Sequence, residues 1–262
     1  MSPPPTGGAR AGTRLAVITI TACLYAVGKW ATAFIRTPWG VGELLVGIFL
    51  PALMVVACET VPAAIGAGIG TFLGDFLVTT TPALSIVAGV PANFIAFLFF
   101  GLFVKRYRSW PAFVAATVSF VTLGNLIAAT AVYFFGYALA GVRITSSAIL
   151  GLTIFWNTTS IPAIIIAVPI LLRAIHPLYG RSRILEYYPD WSPFVRSREV
   201  VLALAGAMAF VLIGLAVFVI SPDSVSSAPG LGYFALAGVL VIVFGPVLNA
   251  FAGPKGTNTV AA

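Results

Sequence analysis

Charge is what this chain has least of. Of its 262 residues only 8% are charged while 60% are hydrophobic, and the mean hydropathy is +1.07. A soluble domain carries about 25% charged residues to clothe its surface, so a shortfall of this size excludes a water-soluble globule and leaves lipid as the solvent. Histidine and cysteine are almost as scarce. The single histidine, His176, stands between Ile175 and Pro177 in a polar stretch and reads as a solvated loop residue. Cys23 and Cys58 both fall inside apolar stretches, where cysteine behaves as a small hydrophobe, so neither a disulfide framework nor a metal-type spacing exists. Also missing are a paired-carboxylate cluster, a Gly-x-Ser-x-Gly elbow and a Gly-x-x-x-x-Gly-Lys-Ser/Thr phosphate loop. These gaps speak against an enzyme and against a bound cofactor or metal.

What is present is a series of apolar runs of about twenty residues, the length a helix needs to cross a bilayer. They cover 15–35, 42–58, 61–79, 84–104, 111–141, 147–172, 200–220 and 231–251. The runs are uniformly apolar rather than alternating, which predicts an all-α polytopic bundle of eight spans and not a barrel. The first run is too long for a signal peptide and lacks a small-residue cleavage site, so it reads as a retained span. The predicted organisation is a disordered tail over 1–14, a six-helix membrane core over 15–175, a linker over 176–199, a two-helix hairpin over 200–251 and a tail over 252–262. Pro177, Pro189 and Pro193 argue against a continuous helix through the linker.

The net charge of +7 invites a nucleic-acid reading until the basic residues are placed. Cytoplasmic N- and C-termini put Arg10, Arg14, Lys105, Arg106, Arg108, Arg173, Arg181, Arg183, Arg196, Arg198 and Lys255 on the inner side, and only Arg36 and Arg143 outside. That asymmetry is the positive-inside pattern of a multi-pass protein of the cell membrane. It accounts for the basic composition without nucleic acid.

Ionisable or amide side chains within a span are costly and point to function. They are Lys29, Glu43, Asp75, Asn93, Asn125 and Asn157, and in this topology all lie from the midplane outward. With Trp30, Trp39, Tyr133, Tyr137 and Trp156 nearby, they predict an outward-open polar pocket in which Lys29, Trp39, Glu43, Asp75, Asn93, Asn125, Tyr133, Trp156 and Asn157 contact a solute. Structural readings stand beside each assignment. Lys29 and Asp75 form an ion pair, Glu43 is interfacial, each Asn is a helix-to-helix hydrogen bond, and the aromatics are a membrane-interface belt.

Three segments carry a family resemblance: Gly40 through Glu43 to Pro51 and Ala52, the small-residue run from Pro62 to Asp75, and Ala88 through Pro91 to Asn93. Over residues 15–175 the chain resembles the substrate-binding (S) component of energy-coupling factor transporters, most nearly the archaeal-type members of unassigned substrate. The resemblance implies a six-helix bundle that captures a vitamin-like micronutrient from outside. Such a subunit docks on a transmembrane T component driven by two cytoplasmic ATPases, which fits a chain without a nucleotide loop. The family's Ala-x-x-x-Ala contact with the T component maps onto Ala22 and Ala26. Metal-transporting members begin Met-His, whereas this chain begins Met1-Ser2. An autonomous ion- or proton-coupled carrier using Lys29 and Asp75 is the second reading, and a membrane-embedded enzyme the third.

Overall fold

The computed structural model describes residues 7–185 apart from 34, 35, 38–40, 80, 81, 109 and 180. The expected hairpin over 200–251, the tail over 252–262 and Trp39 lie outside the described residues. Within them the chain is all-helical, with no strand beyond an isolated antiparallel bridge between Arg36 and Glu43. The helices are α1 (Gly7–Thr32), α2 (Phe49–Ala57, entered through a 3-10 turn at Val46–Ile48), α3 (Thr60–Val78), α4 (Ala83–Val87), α5 (Gly89–Tyr107), α6 (Trp110–Ala140) and α7 (Ser146–Ile175). A final 3-10 turn covers His176–Leu178. Five of the described segments, with α4 and α5 taken together, are long and apolar enough to cross a membrane.

Two expectations change. α1 is already helical from Gly7, so the second half of the segment read as a disordered tail belongs to the first helix. More consequential is the second run. Its helical part, Val46–Ala57, at about 1.5 Å per residue spans roughly 18 Å, well short of a hydrocarbon core about 30 Å thick. Residues 41–45 enter it without helical structure, and Pro51–Ala57 are all buried. The segment is apolar because neighbouring helices surround it, not because it faces lipid. α6, with 31 residues, has the opposite mismatch and extends to about 46 Å, so it tilts or projects.

Around α2 pack Tyr25, Phe97, Phe100, Phe113, Ile161, Ile164 and Val168, each almost fully buried. Phe100 meets Phe97 and Phe113 edge-on at 6.4 and 5.8 Å between ring centroids. The most extensive helix contact is α1 on α3, and its cause is a glycine row. A Cβ at Gly66 would stand 2.6 Å from the Ile18 carbonyl oxygen, and one at Gly70 2.8 Å from that of Ala22. Only glycine lets the two backbones approach so closely, the usual device of helix pairs in lipid. Gly28 and Gly47 do the same for α1 and the 3-10 turn, a Cβ on Gly47 falling 2.7 Å from the Gly28 carbonyl oxygen.

The helices alternate in direction, so polar groups gather at two ends. At one, the Arg14 guanidinium meets Glu59 at 2.6 Å and the Lys105 ammonium donates to the Cys58 carbonyl. At the other stand Lys29, Glu43 and Asp75.

Candidate functional site: a charged cavity at one end of the bundle

Lys29 lies in the last turn of α1, where a cation is favoured by the helix dipole. Its aliphatic stem crosses α3 at Gly74, where a Cβ would come within 2.9 Å of Lys29 Cδ, so this third glycine of the row is what gives the side chain its path. The ammonium donates to Asp75 Oδ1, one residue further along α3, and lies 3.0 Å from Glu43 Oε1. Both Lys29 and Glu43 are buried, with 7% and 2% of their surface exposed. Glu43 is therefore enclosed by protein rather than presented at the surface. The turn that carries it inward is built locally: Thr37 N–H donates to the Gly42 carbonyl, Thr37 Oγ1 donates to the Val41 carbonyl, and Gly42 takes φ +76°. That glycine lies against the Trp156 indole, since a Cβ there would be 2.7 Å from Cζ2.

These groups line a cavity of about 470 Å³ walled by every helix except α2. α1 contributes Lys29; the 36–45 segment gives Arg36, Gly42, Glu43 and Leu45; α3 gives Thr71 and Asp75; α4 and α5 give Ser85, Gly89 and Asn93. Asn125, Val132 and Trp156 complete the wall from α6 and α7. The volume lies in the range of small-molecule sites, and the wall mixes apolar side chains with polar and charged ones able to orient a solute.

Six of the nine residues expected to contact a solute, Lys29, Glu43, Asp75, Asn93, Asn125 and Trp156, line this cavity. Asn157 does not. It accepts from Asn125 Nδ2 at 2.8 Å and donates to Thr122 Oγ1 at 3.0 Å, tying α7 to α6 behind the wall. Tyr133 is also away from it, 40% exposed with its ring edge-on to Phe134. Trp30 and Tyr137 are more exposed still, and the Arg143 guanidinium lies 3.9 Å above the Tyr137 ring. These three aromatics thus sit on the outer surface. Ala22 and Ala26 are 4% and 5% exposed. Ala22 lies in the α1–α3 contact at Gly70, so its small side chain serves packing within the chain.

Two wall residues, Ser85 and Thr71, and one residue of the adjoining core, Tyr25, were missed. Tyr25, one turn before Lys29 on the same face, buries a hydroxyl that finds no hydrogen-bond partner among the described residues. Its spacing of four from Lys29 was the available signal. Ser85 likewise buries an unpartnered Oγ in the cavity wall. Thr71 Oγ1 donates back to the Ala67 carbonyl, the normal refuge of a threonine inside an apolar helix.

Among the described residues no three His, Cys, Asp or Glu side chains gather as a metal site requires. No protein-family model, curated protein or solved structure matches the chain.

Proposed function

We propose that this chain is the solute-capture subunit of an ATP-driven uptake transporter of the cell membrane, working with a separate T component and two cytoplasmic ATPases. The observation that carries the reading is the cavity of about 470 Å³, closed toward α2 and walled at one end of the bundle by polar groups from six helices and the 36–45 segment. A cavity with buried charge at a single end suits capture of a vitamin-sized molecule from one side. The resemblance to energy-coupling factor S components supplies the energy source that this chain has no phosphate loop to provide. In this reading the cavity end is the outer face and both termini are cytoplasmic, which the distribution of Lys and Arg supports.

Orientation is tested by thiol labelling in intact cells, with Cys23 and Cys58 replaced. Ser146→Cys, at the exposed start of α7, reacts with an impermeant reagent, and Ser182→Cys is protected. Function is tested by reconstitution: uptake requires the T component and ATPases, whereas purified protein alone binds the solute that co-purifies with it. The buried Lys29–Glu43–Asp75 group favours a second reading, an autonomous proton-coupled carrier. Uptake into vesicles by the pure protein under a proton gradient, without ATP, establishes that carrier instead.

A further inference from the structure

The charges at the cavity's buried end do not balance, although two cations and two carboxylates line the cavity as a whole. Lys29 brings one ammonium, against which stand the carboxylates of Glu43 and Asp75. Arg36 also lines the cavity but is exposed, so water screens its charge. Lys29 engages Asp75 through Oδ1, and among the described residues no donor reaches the other oxygen, Oδ2. That oxygen lies near the unpartnered hydroxyl of Ser85. Both oxygens flank Gly89: a Cβ added there would be 3.5 Å from Asp75 Oδ2 and 3.2 Å from Ser85 Oγ, and 2.7 Å from Thr71 Cγ2, so the glycine is what lets these side chains crowd together at the cavity wall. Ser85 is 6% exposed and its Oγ has no partner among the described residues, although a buried hydroxyl normally finds one. Two oxygens able to accept, one of them charged, therefore lie side by side in the cavity wall.

Resting on the solute-capture reading, we infer that the cavity takes an organic cation, a solute whose protonated, N–H-bearing nitrogen sits between Asp75 Oδ2 and Ser85 Oγ while an apolar body lies toward Trp156 and Val132. A cation there restores neutrality to the buried group and gives both oxygens a donor. An anion would find Lys29 already paired and would be left with the exposed Arg36, whose charge water screens. A neutral solute would leave the excess charge uncompensated in a medium where uncompensated charge is costly.

The test uses the full chain in lipid nanodiscs and follows its Tm. The probes are matched sets: the cations tryptamine, tyramine and benzamidine; the neutral N-acetyltryptamine, N-acetyltyramine and benzamide; and the anions indole-3-acetate, 4-hydroxyphenylacetate and benzoate. Any solute carried through purification is identified in parallel by mass spectrometry. At least one cation raises Tm by several degrees while its neutral and anionic partners do not, or the co-purified solute is a cation. Asp75→Asn abolishes the shift. Because that variant also disturbs the Lys29 pair, Ser85→Ala provides the independent check, lowering affinity roughly three- to tenfold with the fold intact. Stabilisation by a neutral or anionic member equal to or above its cation, or a co-purified solute that is neutral or anionic, overturns the cation assignment and leaves solute capture standing. No response from the whole panel together with no co-purified solute overturns both.

Discussion

The two ends of the bundle hold ion pairs of similar geometry in unlike surroundings. Arg14 and Glu59 meet at 2.6 Å with 57% and 30% of their side chains exposed, whereas Lys29 and Glu43 meet at 3.0 Å with 8% and 3% exposed. The shorter contact is the less consequential one. In water the attraction is screened and offset by the entropy of holding two long side chains still, so an exposed pair contributes about 0–1 kcal/mol. Once buried, neither partner can fall back on solvent, and removing one strands the other. Burial, rather than distance, decides which end the fold depends on.

Substitutions at the two ends separate sharply on that basis. Lys29→Met leaves two carboxylates facing each other without a cation and lowers stability by about 3–5 kcal/mol in thermal or denaturant unfolding of the purified protein. Adding Asp75→Asn to Lys29→Met removes one stranded charge and restores part of that loss; a double variant no more stable than Lys29→Met would show that the two act independently. Gly70→Val drives side-chain atoms into the Ala22 backbone and costs about 1–3 kcal/mol, with separation of α1 from α3 seen as lost cross-linking between engineered cysteines. Asn157→Leu leaves Asn125 and Thr122 without their partner and costs about 1–3 kcal/mol, while solute affinity changes less than in Asn125→Leu because only Asn125 lines the cavity. Arg14→Ala, at the opposite end, changes stability by no more than about 1 kcal/mol. A loss there equal to that of Lys29→Met would erase the distinction drawn between the ends.

Hydropathy reached α1, α3, α5, α6 and α7 to within a few residues in most cases, because each is long, apolar and in part turned outward. It failed at residues 42–58 for a physical reason. A window average registers apolarity, and a short helix enclosed by protein is as apolar as one bathed in lipid. The charged half of the site was legible, since Lys29 and Asp75 are conspicuous inside apolar runs. Glu43 read as interfacial because nothing in composition shows a segment turning back into the bundle. Rotation about the helix axis decided the others. On α6, Val132 follows Asn125 by seven residues, nearly two full turns, and shares its face toward the cavity, whereas Tyr133 is a further ~100° round. Asn157 is displaced by the same angle from Trp156 on α7 and so reaches α6. Proximity along the chain placed these residues at the right depth and on the wrong side.

The brevity of α2 has a consequence for how the protein is made. A helix of nine residues preceded by non-helical backbone offers unpaired amide and carbonyl groups that hydrocarbon cannot satisfy. Such a segment cannot wait alone in the bilayer, as a full-length helix can, for its neighbours to arrive during synthesis. α1 and α3 must already lie side by side along their glycine row before the chain between them can be threaded to its place. The expected order of insertion is therefore α1 and α3 first and the 41–57 segment second. A ribosome-bound intermediate that ends just after residue 57 keeps 41–57 at the membrane surface, and one extended far enough to release α3 draws it in, a difference that glycosylation mapping of arrested chains would register.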